Sequence, residues 1–258
     1  MRCKIFQTVL FTTILLLSAC FGHAPSKEGC QGCVEVPIVR PETAFVKIMG
    51  FIGKEPLVYG SGSVIANNTE GAYILSAAHV CMFLEGYGIP DIPNISPEVL
   101  APLLSMHGIY HDGRITRLTI VDYDIDTDLC IMLAGKPNTN TLSLADRSPE
   151  FGKSYKTYSS PKGMAGPGST LIYDGFHSGV IKVPKRDLTY NLFTIWSAPG
   201  SSGSPIMNED NEVVGVISRY LKDGTPASIS PQHKDLQTFV QKVMCSEKVE
   251  GYCSESRD

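Results

Sequence analysis

The stretch "GSSGSP" at 200–205 lies between the apolar runs "NLFTIW" and "VVGVI". Gly, Pro and Ser are ordinary punctuation between strands, so a simple turn is one reading. The other is a loop that presents one serine to a substrate. A hydroxyl is a poor nucleophile until a base takes its proton, and the base works best when a carboxylate orients it. The oxyanion that then forms needs backbone N–H donors, which a glycine-rich turn can aim inward. Such a site requires a histidine and an acid at strand ends elsewhere in the chain. "ILSAAHV" offers His79 after a buried run, with the small residues Ala77 and Ala78 letting backbone pack against the ring. "DYDIDTDLCIML" offers Asp128 at the head of an apolar strand. Each taken alone has a plainer reading: a satisfied core histidine, a solvated acidic turn, a tight loop. It is their joint occurrence, in the order His, Asp, Ser, that points to chemistry.

The elements that must position these residues are strands. "AFVKIMGF", "LVYGSGSVIA", "GAYILSAA", "RITRLTIVDYD" and "DLCIMLAG" form one series of short apolar runs. "KSYKTYSS", "STLIYDGFHSGVIKV", "TYNLFTIWS" and "EVVGVISRYL" form a second. Many short strands parted by Gly, Asn and Pro indicate an all-β barrel or sandwich. One helix is expected over 231–243 in "SPQHKDLQTFVQKV", with Ser230 as N-cap, Pro231 at the first helical position, and Leu236, Phe239, Val240 and Val243 on one face. Residues 82–112 read as a Pro-rich insertion, with a short helix in "SPEVLAPLLSM".

The order and contexts of the three motifs resemble the trypsin-like, chymotrypsin-fold serine peptidases. "ILSAAHV" is similar to that family's histidine motif, "TDLCIML" to its aspartate motif and "GSSGSP" to its nucleophile motif. The resemblance implies two six-stranded antiparallel β-barrels with a C-terminal helix, over 43–243, the barrels at about 43–140 and 141–230. It implies Ser202 as nucleophile, His79 as general base and Asp128 as orienting acid, with the N–H groups of Gly200 and Ser202 as oxyanion hole. Asp124 and Asp126 are weaker candidates, because the family's carboxylate immediately precedes the strand. "GSSGSPIMNEDNEVVGVI", "HSGVI" at 177–181 and the closing helix resemble the bacterial branch of glutamyl endopeptidases and HtrA-type enzymes. By the same match Trp196 stands at the base of the substrate pocket, with Ser197, Ser218 and Arg219 along it. A tryptophan there cannot select Lys or Arg. Ile217 falls where glutamyl endopeptidases have a histidine, so a buried glutamate would lack a partner. A small or apolar residue is expected at the cleavage position, with "SRYL" pairing to the substrate backbone.

The start of the chain is a separate object. Arg2 and Lys4 precede the apolar run Ile5–Leu17, which is too short to span a membrane, and "LSAC" ends at Cys20. Residues 1–19 read as a signal peptide, and "LSAC" resembles the lipobox of bacterial lipoproteins, in which Cys20 is lipidated; plain secretion is the alternative. Phe21 takes the place of that family's inner-membrane retention Asp, which favours outer-membrane anchoring. Residues 20–42 then form a tether, and 244–258 a Cys-containing tail. Cys30 and Cys33 could bridge to Cys245 and Cys253 and tie the termini together, or the four could hold zinc. Cys81 and Cys130 lie in apolar runs, free or bridged.

The net charge of −4, with no basic run, makes nucleic acid an unfavoured partner. No cofactor is implied, and disulfides are preferred to zinc at the four terminal cysteines; His107 and His111, with Asp112, lie among Gly108 and Gly113 and read as solvated loop residues. "NNT" at 67–69 and "NIS" at 94–96 match glycosylation acceptors, which mean little if the lipobox marks a bacterial protein. The whole describes a monomeric, lipid-anchored peptidase of the cell envelope acting on protein or peptide. The rivals are an idle module holding a peptide or envelope partner in the same cleft, and a hydrolase acting on esters.

Overall fold

The structure is a computed structural model and describes residues 40–85, 99, 101–135, 140–183, 188–220 and 226–253. The expected signal peptide, Cys20, nearly all of the tether with Cys30 and Cys33, the "NIS" site and the middle of the 82–112 insertion lie outside the described residues.

After a short helix α1 (Pro41–Ala44), six strands form a closed antiparallel barrel: β1 (Phe45–Ile52), β2 (Glu55–Asn67), β3 (Ala72–Ser76), β4 (Leu104–Tyr110), β5 (Ile115–Asp124) and β6 (Leu129–Ala134), in the order β1-β2-β3-β6-β5-β4. β4 shows why such strands form: Leu104, Met106, Gly108 and Tyr110 are buried while Ser105, His107 and Ile109 between them are not, the period-2 pattern of a half-buried strand. β3 is buried throughout, having neighbours on both faces. A helix of one turn, α2 (Ala78–Cys81), leaves the end of β3.

The second half is one antiparallel sheet of seven strands: β7 (Ser154–Ser159), β8 (Leu171–Val183), β9 (Leu188–Phe193), β10 (Pro205–Met207), β11 (Val213–Val216), β12 (Arg219–Tyr220) and β13 (Ser228–Pro231), in the order β11-β10-β7-β8-β9-β13-β12. The sheet curls until β11 meets β13. The Val216 N–H donates to Ser230 Oγ at 3.0 Å, and a Cβ on Gly215 would stand 2.4 Å from that hydroxyl. Its core gathers Tyr155, Phe193, Ile195, Ile206, Val214 and Ile217.

The all-β architecture and the closing helix follow the sequence; four local expectations do not. The 82–112 segment is not insertion throughout, because β4 lies inside it and completes the first barrel. His107 therefore sits in a strand, edge-on to Phe51 with ring centroids 5.5 Å apart, while His111 follows in the turn. The C-terminal helix α3 spans His233–Ser246, with Gln232 rather than Ser230 at its N-cap. Ser230 and Pro231 belong to β13, where pairing with Asn191 and Tyr190 of β9 overrides the local helix-start signal. The apolar face of α3 is as expected: Leu236, Phe239, Val240 and Val243 are buried in the first barrel's core, each worth about 1.5–3 kcal/mol. Finally, Cys245 bonds to Cys253 rather than to the N-terminal pair, and Cys81 bonds to Cys130.

Candidate functional site

His79 and Asp128 flank adjacent strands, His79 just after β3 and Asp128 just before β6. β3 pairs with β6, so the segments that leave β3 and enter β6 meet at one end of the barrel. Ala77 and Ala78 are completely or almost completely buried, and the Ala78 N–H donates to the Asp128 carbonyl at 3.1 Å. The His79 N–H donates to Asp128 Oδ1 at 3.0 Å, and ring Nδ1 lies 3.0 Å from Oδ1 and 2.9 Å from Oδ2. Asp128 holds a left-handed backbone conformation, φ +58°, which Asp tolerates better than most residues. Its side chain is 8% exposed. Ser218 completes its surroundings by donating from Oγ to Oδ2 at 2.5 Å. Burial alone pushes this carboxyl up. The hydrogen bond and charge of the His79 ring, the Ser218 hydroxyl and the His79 amide outweigh it, so the group is held below the ordinary carboxylate value. The His79 side chain is 42% exposed, so its inner nitrogen is on the carboxylate and the rest of the ring is open.

The loop carrying Ser202 is built from backbone that only glycine can supply. Gly203 has φ +88°, and a Cβ there would lie 2.0 Å from the Ser61 carbonyl oxygen and 2.2 Å from Ser76 Oγ. The loop is thus pressed against the end of β3, three residues before His79. Gly200 has φ +97°, and a Cβ there would lie 2.6 Å from the Ser160 carbonyl oxygen. Every turn around them is tied. The Ser201 N–H donates to Ala198 O at 2.8 Å, Ser204 N–H to Ser201 O at 3.0 Å, Gly203 N–H to Ile217 O at 2.7 Å, and Lys162 N–H to Pro199 O at 2.6 Å. The N–H groups of Gly200 and Ser202 have no acceptor among the described residues. A trans peptide points its C=O and N–H oppositely. With the Pro199 and Ser201 carbonyls drawn into the protein, those two N–H groups face away from their acceptors. Among the described residues no hydrogen bond joins Ser202 Oγ to His79.

The residues assigned to substrate binding divide. Trp196 is 39% exposed and lies against Tyr173, ring centroids 5.0 Å apart. Ser197 Oγ is 2.9 Å from the buried Ser228 Oγ, which also donates to Ile195 O. Arg219 stands on β12 with its guanidinium 5.7 Å above the Tyr190 ring, and β12 ends the sheet order. Ser218 turns its hydroxyl to Asp128 rather than outward. Ile217 is buried in the second core. Sequence reasoning missed the Ser218 hydroxyl as a holder of the carboxylate; its one signal is a hydroxyl closing the apolar run "EVVGVIS". His107 and His111 do not converge: His111 Nδ1 is instead 3.3 Å from Thr170 Oγ1.

Comparison with known proteins bears on the family and the fold. A probable periplasmic serine endoprotease, DegP-like, from Halomonas elongata is 28% identical over 165 residues, which is 63% of this chain and 29% of the relative. The chain therefore spans under a third of that protein's length. Among solved structures, the serine endoprotease from Yersinia pestis superposes with a TM-score of 0.60 at 17% identity, covering 81% of this chain and 65% of the other. The active form of the Rv3671c protease from M. tuberculosis gives a TM-score of 0.60 at 17% identity, over 79% and 82%. At such identities the likeness is one of fold. Residues 60–216 match the trypsin-like peptidase domain, a span that is more than half the chain and takes in His79, Asp128 and the Gly200–Ser204 loop. The chain belongs to the trypsin-like peptidase domain family.

Proposed function

We propose that this protein is an extracytoplasmic serine endopeptidase in which Ser202 attacks the peptide carbonyl and His79 takes its proton. Asp128 holds the imidazole so that its outer nitrogen is the basic one, and stabilises the imidazolium that forms. The N–H groups of Gly200 and Ser202 receive the oxyanion. His79 then protonates the leaving amine, and water, activated by the same ring, hydrolyses the acyl-enzyme. The observation that carries this reading is the grip of a buried carboxylate on the inner edge of an otherwise open imidazole. Catalytic hydrogen bonds are commonly long before substrate binds, which accommodates the unbonded Ser202 hydroxyl. An extended substrate would add to the outer edge of β12, with Trp196, Ser197 and Arg219 beside it. A small or apolar residue suits the cleavage position, since the buried Ile217 offers no charge to a glutamate. The DegP-like relative's periplasmic name supports a location outside the cytoplasm, and so do two disulfides.

Treating the protein with a fluorophosphonate probe and sequencing the adduct tests the chemistry. The label is expected on Ser202; a folded protein that takes up no label is an idle binding module, and a label elsewhere overturns the assignment. Lipid anchoring through Cys20 is part of the same proposal. Cys20→Ala should move the protein from the membrane to the soluble fraction, and unchanged fractionation refutes the anchor.

A further inference from the structure

Ser61, in β2 of the first barrel, is completely buried and makes contacts out of proportion to its size. Its hydroxyl donates to the Gly200 carbonyl at 2.8 Å and accepts the Ser160 N–H at 3.1 Å. Its backbone N–H donates to the Ser202 carbonyl at 2.8 Å. Its own carbonyl accepts from Ser76 Oγ at 2.8 Å. One residue therefore grips the carbonyls on both sides of Ser201, from the opposite barrel. We propose that Ser61 is a positioning residue for the oxyanion hole, its hydroxyl fixing the peptide planes on both sides of Gly200.

The geometry behind this is specific. Gly200, at φ +97°, has the freedom to turn either flanking peptide, so something outside it must choose. The peptide after it is held through the Gly200 carbonyl, which Ser61 Oγ binds directly. The peptide before it is held through the Pro199 carbonyl, which the Lys162 N–H binds. Lys162 sits in a one-turn segment, Pro161–Gly163, that begins at Ser160, whose N–H is again on Ser61 Oγ. Both restraints trace to one hydroxyl. The far side of that segment is gathered by Lys47 of β1, whose ammonium donates to the Gly163 carbonyl at 2.5 Å and the Ala165 carbonyl at 3.0 Å. Removing the Ser61 hydroxyl leaves the buried Gly200 carbonyl and the buried Ser160 N–H without these partners, which frees the peptide after Gly200 directly and the one before it through the Pro161–Gly163 segment.

The proposal rests on reading Ser202 as the nucleophile, so the experiment begins by titrating wild-type active sites with the fluorophosphonate. No label on Ser202 defeats that reading and this role with it. With sites titrated, Ser61→Ala should lower kcat per active site about a hundredfold, the lower edge of what losing one oxyanion donor costs, with KM within about threefold. Affinity for a peptide aldehyde, whose serine adduct carries the oxyanion, should fall by the same factor, while affinity for the matching peptide alcohol should not change. A residue serving stability alone would lower the titrated fraction and Tm but leave kcat per site and aldehyde binding intact, and that result overturns the proposal. Should Ser61→Ala fail to fold, Ser61→Cys decides: its weaker, longer hydrogen bonds should cost about tenfold in kcat and in aldehyde affinity, and wild-type values for both refute the role.

Discussion

Asp128→Asn should lower kcat/KM by about 10⁴-fold with the fold intact. The size of the effect comes from where the two carboxylate oxygens lie. Oδ1 receives the His79 backbone N–H, and Oδ2 stands 2.9 Å from ring Nδ1 and 2.5 Å from Ser218 Oγ. An asparagine must keep its oxygen on the His79 amide, because the opposite orientation buries two N–H groups against each other. Its NH₂ then faces Nδ1 and donates to it, which moves the ring proton to the outer nitrogen. An imidazole protonated there has no lone pair to accept the Ser202 proton. The Ser218 hydroxyl does not resist, since it can rotate and accept. Acid stability should change with activity. The carboxyl of Asp128 is held below its ordinary value in the folded protein, so its contribution is present above the unfolded pKa and is lost as pH falls through the folded one. Denaturant titrations at a series of pH values should show a shallower acid decline in Asp128→Asn than in wild type. If the variant keeps kcat/KM within tenfold of wild type on a peptide that wild type cleaves, Asp128 is not the orienting acid, and Asp124 and Asp126 become the candidates.

What could be read from the sequence is what is local. His79, Asp128 and the loop around Ser202 each carry a signature within a few residues: small residues before an imidazole, an acid heading an apolar strand, glycines flanking a serine. β4 hid because its alternation begins inside "SPEVLAPLLSM", whose prolines suggest a break, and because Gly108 among its buried positions and Ile109 among the others blur the period-2 pattern. β13 hid because Ser230 and Pro231 have the composition of a helix start, and nothing nearby reveals that β9 will claim them. The residues that hold the site together were illegible for a different reason. Ser218 acts on Asp128 from 90 positions away, and Ser61 on Gly200 from 139. A lone serine in a strand has no local mark of such a task, and only the packing of the first barrel against the second sheet assigns it.

The Cys81–Cys130 disulfide should prove to be a matter of stability rather than of catalysis, although it lies two residues beyond His79 at one end and two beyond Asp128 at the other. Both cysteines are fully buried, and the bond closes a separation of 49 residues. Loop closure of that length restricts the unfolded chain enough to be worth about 4 kcal/mol. For a domain of this size the joint variant Cys81→Ala, Cys130→Ala should then melt roughly 10 °C lower. The His79–Asp128 geometry has independent support. Ser76 still pairs with Cys130's position in the β3–β6 ladder, the Ala78 N–H still reaches the Asp128 carbonyl, and the carboxylate still binds His79 through both its amide and its ring. Below the melting transition kcat should therefore stay within about threefold of wild type, in contrast to Asp128→Asn, which spares the fold and removes the chemistry. A melting shift of under about 3 °C would mean the unfolded chain is already constrained, and a loss of kcat rivalling that of Asp128→Asn would mean the ladder and hydrogen bonds do not hold the imidazole without the covalent tie. Because the bond is sealed from solvent, a reductant should act on the native protein only at the rate at which this end of the barrel opens.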